Sequence, residues 1–469
     1  MSTCKISLIE KKTFVIVLCS LFFVLSSCKP IPNPKTDFFT WAKKGEVIQK
    51  VVCKNIQAYD YCLYLPSFYK IDKTWPIIYC FDPHGDGSIP VKLLQTYAEK
   101  KGYILVGSNN SKNGTSANEL QEIISELLTD TKIKLAINKQ RIYLLGFSGG
   151  ARVACSIALT YPDIAGVIAC SAGYTPSPGQ NSFNIIGIAG MRDMNYLEMH
   201  KLNEALDAYP AQHLFISYDA KHQWPTKDIL EKAMQCFEII AMSQGKIPIE
   251  TELVKQNYIE ALHEINNCKS SNNVDSLLRT TELISNAKSV FSQLVNTNEL
   301  NEIEKSLNQN ANFLNAKKSE ERLLFSENSC QELYSKAMTA QSPAWWKSEI
   351  NKLNKDAKQT SLDGIVASRL LAFISLMSYS YVNSAIHQQN WSAADRFLQT
   401  YGLADPENPD YFFFRAVYNA QMNQNELAVD ALEHAVKYGF KDVNKLNNPV
   451  FANLQSLPAF SKIKEEIVK

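Results

Sequence analysis

Three segments of this chain carry side chains that can do covalent chemistry together. Gly146-Phe147-Ser148-Gly149-Gly150 presents a serine between glycines, Gly190-Met191-Arg192-Asp193 a carboxylate after an apolar run, and Asp219-Ala220-Lys221-His222-Gln223-Trp224-Pro225 a histidine in a polar loop. A serine hydroxyl is a poor nucleophile until a neighbouring imidazole takes its proton. The imidazole in turn needs a carboxylate to fix its tautomer and stabilise its charged form. Ser148, His222 and Asp193 are therefore the candidate nucleophile, base and orienting acid. Asp163, in a helix-to-strand connection, and Asp219, only three residues before His222, compete for the acid role, but position after a strand end favours Asp193. Of seven histidines, His200, His263, His387 and His434 fall in helical segments, His213 inside a strand and His84 in another turn.

Hydropathy patterning supplies the elements that must hold these groups. Between residue 46 and about residue 240, short apolar runs alternate with helical periodicity. Pro76–Asp82, Tyr103–Gly107, Arg141–Gly146, Gly166–Cys170, Asn184–Ala189 and His213–Tyr218 read as parallel strands buried on both faces. Leu120, Ile123, Ile124, Leu127 and Leu128 mark a helix from Ser116 to about Lys134, opened by the capping box Ser116-Ala117-Asn118-Glu119. Small residues after Ser148 (Ala151, Ala154, Ala158) let the next helix pack closely on a sheet. The alternation predicts an α/β class with a doubly wound, mostly parallel sheet. Functional side chains of such sheets gather at the carboxyl ends of the strands, where Ser148, Asp193 and His222 all fall.

A G-x-S-x-G turn between strand and helix, followed by Asp and then His, resembles the nucleophile elbow and triad order of the α/β-hydrolases. The resemblance covers roughly residues 46–240. His222-Gln223-Trp224-Pro225 is similar to the histidine loop of polyhydroxyalkanoate-depolymerase-like and feruloyl-esterase-like members. It implies that Ser148 attacks an acyl carbon, His222 shuttles the proton, Asp193 orients His222, and the Gly149 N–H binds the developing oxyanion. Pro83-His84-Gly85-Asp86-Gly87 resembles the H-G-x-x loop of many esterases, which assigns the second oxyanion N–H to Asp86, its carboxylate turned away to brace the turn. Asn109 and Asn110, in the loop after Tyr103–Gly107, either hydrogen-bond a polar substrate or simply form the turn. Tyr174, Arg192 and Trp224 are further rim candidates. Only 13 residues separate Gly166–Cys170 from Asn184–Ala189, too few for a large lid. A polar or polymer-linked acyl ester is therefore favoured over long-chain lipid. The resemblance implies a carboxylesterase-like serine hydrolase; a peptidase of the same fold would use the same residues.

The N-terminus belongs to no domain. Lys11 and Lys12 precede the apolar run Thr13–Leu25, which is too short to span a bilayer and has the form of a secretory signal. Leu25-Ser26-Ser27-Cys28 resembles the bacterial lipobox, implying cleavage after residue 27, a lipid on Cys28 and membrane attachment through that lipid alone. Residues 28–45, with Lys29-Pro30-Ile31-Pro32-Asn33-Pro34, then form a tether. Lys29 in place of Asp implies the outer membrane, and the absence of an acidic export tract favours its periplasmic face. Eleven cysteines include eight beyond Cys28. Cys53 and Cys62 flank a turn centred between Gln57 and Ala58, so a symmetric hairpin would set them face to face; they form a bridge or are two small buried apolar residues.

The expected domains are the hydrolase-like unit at 46–245, a helical region at 246–374 and repeats at 375–469. Asn390-Trp391-Ser392-Ala393-Ala394 and Gln424-Asn425-Glu426-Leu427-Ala428 align at an offset of 34 residues, which resembles the tetratricopeptide period. The repeats offer a groove for a protein partner, and an interaction protein with a non-turning-over hydrolase scaffold is the rival reading. A formal charge of +1 over 469 residues argues against a nucleic-acid footprint. No H-E-x-x-H, paired C-x-x-C or phosphate-cradling glycine loop is present, so neither a metal nor a cofactor is expected.

Overall fold

The computed structural model describes Phe38 and residues 42–179, 183–271 and 273–468; the lipobox and Cys28 lie outside these. Eight strands form one sheet: β1 (Val47–Val52), β2 (Asp60–Tyr64), β3 (Trp75–Phe81), β4 (Ile104–Ser108), β5 (Ile137–Phe147), β6 (Ile164–Cys170), β7 (Asn184–Gly190) and β8 (His213–Tyr218). Their order is β1-β2-β4-β3-β5-β6-β7-β8. β2 runs antiparallel to both β1 and β4, and every pairing from β4 through β3 to β8 is parallel. The expected α/β class holds, with strand ends shifted by a few residues.

The interleaved helices are α1 (Ser88–Lys101), α2 (Ala117–Lys134), α3 (Gly149–Thr160), α4 (Tyr196–Leu206) and α5 (Lys227–Ser243). Side chains of α1 and α5 join the core on one face of the sheet, and those of α2, α3 and α4 join the core on the other. Both faces are thus covered, which is why β3 and β6 are buried at every residue. Ser116 caps α2 by accepting the Glu119 N–H at 3.3 Å, one arm of the expected capping box.

The Cys53–Cys62 bridge does not form. Val52 opposes Asp60 and Val51 opposes Tyr61, so the turn lies earlier than a symmetric reading requires, and a bulge between Ile48 and Val51 shifts the register again. Cys62 packs into the core under α1, and Cys53 into the opposite core. Both thiols are free and buried. Burial first, then nearby carboxylates, pushes Cys53 up to about 12; burial alone dominates at Cys62, which also rises to about 12. They are inert apolar fillers.

Beyond α5 every element is helical: α6 (Thr251–Ser271), α7 (Val274–Phe291), α8 (Asn298–Leu307), α9 (Ala311–Ala340), α10 (Pro343–Asp356), α11 (Leu362–His387), α12 (Trp391–Ala404), α13 (Pro409–Gln421), α14 (Asn425–Lys437), two short 3-10 turns and α15 (Pro458–Val468). This region divides between two cores. α6, α7 and α8 extend the core that lies on the α1/α5 face of the sheet, whereas residues from Tyr334 to Ile463 form a core of their own. The 34-residue offset is geometric as well as sequential. Gln389 and Asn423 both take positive φ, 56° and 60°, in the turns that open α12 and α14. Ala394 and Ala428, and likewise Leu398 and Leu432, are fully buried. α11 is long and apolar enough to cross a membrane, but over half of its apolar window is buried inside the protein.

α7 closes the sheet. β8 is an edge strand, and its unpaired backbone groups meet Arg279, Glu282 and Asn286, spaced i, i+3, i+7 on one helix face. Asn286 Oδ1 accepts the Phe215 N–H at 3.1 Å while its Nδ2 donates to the Phe215 carbonyl at 2.6 Å. Glu282 accepts the Ser217 N–H at 3.1 Å, and Arg279 donates to the Ser217 carbonyl. Side chains thus do along this edge what a ninth strand would do.

Candidate active site

β5 delivers Ser148 and α3 begins immediately after it. The turn between them is so tight that Ser148 takes φ 52° and ψ −121°, a strained conformation for any residue with a side chain. Its N–H donates to the Cys170 carbonyl at the end of β6 (2.8 Å), and its carbonyl accepts from Ala151 and Arg152. The two outer glycines of the motif are needed for backbone packing. A Cβ on Gly146 would lie 2.2 Å from the Gly150 carbonyl oxygen, and one on Gly150 would lie 2.0 Å from that of Phe81. Gly149 differs: the nearest atoms its Cβ would meet all belong to the side-chain amide of Asn113, which is exposed.

β7 delivers Asp193. Met191 N–H donates to the Tyr218 carbonyl (2.7 Å) and Arg192 N–H to that of Ala220 (2.9 Å), so the acid loop lies along the start of the histidine loop. The Asp193 carboxylate is fully buried. It accepts the Asn195 N–H at 2.8 Å, and His222 Nδ1 stands 2.9 and 3.0 Å from its two oxygens. His222 Nε2 lies 3.0 Å from Ser148 Oγ. Three side chains from three different loops thus form one unbroken hydrogen-bonded line. The alternative acid, Asp219, is exposed and pairs with Arg192 at 3.3 Å.

Phe147 and Trp224 form the wall behind the imidazole. The Phe147 ring is 4.8 Å from that of His222 and 5.3 Å from that of Trp224. Trp224 Nε1 donates to Asp82 Oδ2 at 2.9 Å, tying the histidine loop to the end of β3. Burial pushes the Asp82 carboxyl up, but hydrogen bonds from His84 and Trp224 outweigh it and hold the group below the ordinary range. The contact between loops therefore persists above the ordinary carboxylate range and is lost as pH falls through that lowered value. Trp224 is a brace for His222 rather than a free rim residue.

Asp86 sits in the turn after β3. Its carboxylate accepts the Ser88 N–H at 3.0 Å, so it braces the start of α1. The N–H groups of His84, Gly85 and Gly87 are all engaged within the protein. Those of Asp86 and Gly149 have no partner among the described residues. The turn is pressed onto β4, where a Cβ on Gly87 would lie 2.3 Å from the Gly107 carbonyl oxygen.

The expectation of substrate contacts from Asn109 and Asn110 is corrected. Asn109 donates to the Gln49 carbonyl and Asp60 and accepts the Gly87 N–H, while Asn110 accepts the Asp60 N–H at 2.8 Å. Both amides are committed to the scaffold, the turn-forming alternative. Tyr174 is half-buried beside Phe183, with ring centroids 5.9 Å apart. Sequence reasoning missed three residues: Asp82, Asn195 and Arg369. Asp82 was visible as an acidic residue ending an apolar strand; no local signal marks Arg369, which reaches the acid loop from α11. Among the described residues no cluster of His, Cys, Asp and Glu has the geometry to hold a metal ion.

Comparison with known proteins bears on the sheet domain. Residues 103–206 match the Phospholipase/Carboxylesterase family, a span that includes Ser148 and Asp193 and stops before His222. No curated protein matches the chain by sequence. Among solved structures, a mutant feruloyl esterase module from Clostridium thermocellum complexed with sinapinate is 17% identical (TM-score 0.32), covering 44% of this chain and 90% of its own. The fluorophosphonate-binding serine hydrolase F of Staphylococcus aureus is 14% identical (TM-score 0.34), with 41% and 98% covered. S-formylglutathione hydrolase from the same organism is 13% identical (TM-score 0.33), with 41% and 95% covered. The matched span lies within the eight-stranded sheet domain, which a large helical region follows.

The glycine contacts rank three substitutions. Gly146→Ala and Gly150→Ala, which press a methyl group onto a backbone carbonyl, lose more than about 2 kcal/mol in chemical denaturation. Gly149→Ala displaces only Asn113 and stays within about 1 kcal/mol of the parent.

Proposed function

We propose that the chain is a serine hydrolase that cleaves carboxylic esters through an acyl-enzyme. The observation that carries this reading is the line Asp193–His222–Ser148, with contacts of 2.9 and 3.0 Å, ending on a serine held at positive φ. Ser148 Oγ adds to the acyl carbon as its proton passes to His222 Nε2, and the imidazolium is stabilised by the buried Asp193 carboxylate. The carbonyl oxygen becomes an oxyanion held by the Gly149 and Asp86 N–H groups, each such donor contributing about 3 kcal/mol to the transition state. Collapse of the tetrahedral adduct breaks the ester C–O bond, and His222 returns its proton to the departing alkoxide. Water, deprotonated by His222, then attacks the acyl-enzyme and frees the acid and Ser148.

The substrate class in this proposal is a polar or polymer-linked acyl ester, supported by the short β6–β7 connection, which has no length for a lid over a lipid chain. The proposal extends to export and lipid attachment at Cys28, on the periplasmic face of the outer membrane; it rests on the N-terminal sequence. Labelled palmitate incorporated by the wild type and lost in Cys28→Ser supports that part, and equal labelling of the two defeats it.

The catalytic part is tested with short p-nitrophenyl esters. Ser148→Ala abolishes turnover, and Asp193→Asn, which keeps the shape but removes the acceptor His222 needs, lowers kcat by about 10⁴. Turnover surviving in Ser148→Ala at the parent rate would rule the reading out.

A further inference from the structure

The helical region reaches into the acid loop. Arg369 on α11 and Glu327 on α9 form an ion pair in which the two side chains are 5% and 0% exposed. The pair is bidentate: Arg369 Nε donates to Glu327 Oε1 at 2.8 Å, and Nη2 to Oε2 at 2.5 Å. The remaining nitrogen does not stay within the helices. Nη1 donates to the Met191 carbonyl at 2.9 Å, across 178 residues of sequence. The guanidinium also stacks on Tyr196, with 4.5 Å from its carbon to the ring centroid.

Met191 and Tyr196 bracket Asp193. Tyr196 N–H donates to the Asp193 carbonyl at 2.9 Å, so the ring gripped by Arg369 belongs to the residue bonded to the Asp193 backbone. One planar cation therefore holds both flanks of the loop that carries the acid, and Glu327 fixes that cation in place. Lys201 on α4 and Asn328 on α9, next to Glu327, add a second link between the sheet domain and the helical region, at 2.5 Å. A purely structural arginine would need only its carboxylate; this one directs its third donor to a carbonyl two residues from Asp193.

We infer that Arg369 is a positioning residue for the Ser148–His222–Asp193 line, and that the helical region completes the active site rather than accompanying it. The inference rests on the hydrolase reading for its kinetic consequences. A displacement of about 1 Å in a positioned group costs on the order of 10²-fold in rate. Breaking one partner of a buried ion pair leaves an uncompensated charge, whereas replacing both with apolar residues of similar volume is often neutral for stability. The double variant Arg369→Met/Glu327→Met therefore separates positioning from folding.

In the full-length double variant, kcat for an ester falls about 10- to 100-fold with KM within about twofold, while the melting midpoint stays near that of the wild type. The downfield proton resonance of the His222 Nδ1–H bond to Asp193 moves or broadens. Amide exchange across residues 190–196 speeds up tenfold or more, with β5 unchanged. Wild-type kcat, resonance and exchange in a folded double variant would overturn the inference. A wild-type protein without turnover would refute the hydrolase reading instead; exchange at 190–196 then decides the brace alone, and unchanged exchange overturns it.

Discussion

A side chain at position 150 would sit 2.0 Å from the Phe81 carbonyl oxygen, and one at position 146 would sit 2.2 Å from the carbonyl of residue 150. This close approach of β3, β5 and the first turn of α3 is the constraint from which the site follows. It forces the chain to reverse within one residue, which holds Ser148 at positive φ and leaves the N–H of Gly149 without a protein partner. Such strain persists only where the surroundings over-determine it. Here they do: Ser148 is fixed by β6 through Cys170, and Ala151, Ala154 and Ala158 let α3 lie close against the buried sheet.

Once the serine is fixed, two carboxylates at strand ends organise the rest. Asp193 beyond β7 orients His222 from one side, and Asp82 beyond β3 reaches the same loop through Trp224. His222 thus sits in a loop held by two buried acceptors, while its ring packs on Phe147. The helical region supports the same arrangement at a distance. α7 satisfies the free edge of β8, the strand that leads into the histidine loop, and Arg369 grips the acid loop. The large helical addition is thereby joined to the sheet domain at the two strands that carry the imidazole and its carboxylate.

Much of this was legible in the sequence because it depends on local pattern. Buried parallel strands are continuous apolar runs, so six of the eight could be placed. A nucleophile between glycines, with an acid and a histidine each after a strand, brings its own spacing. What failed were features set by register and distant contact. A turn placed earlier than the symmetric one separated Cys53 from Cys62, and nothing in either residue announces where the chain turns. Asn109 and Asn110 read equally as ligands and as turn formers, and the choice was made by Asp60, Gln49 and Gly87, which arrive from elsewhere. Arg369 sits within a long apolar helix, where sequence shows an isolated charge but not the carbonyl 178 residues away that it serves.

The central claim is that Ser148 is an activated nucleophile. Its most direct test is intact-mass and peptide mapping of the protein after exposure to a fluorophosphonate, beside the His222→Ala variant. The account predicts a single adduct on the peptide that contains Ser148, formed in the wild type and lost in the variant. A folded wild-type protein that gains no adduct, or one that gains it equally without His222, would contradict it.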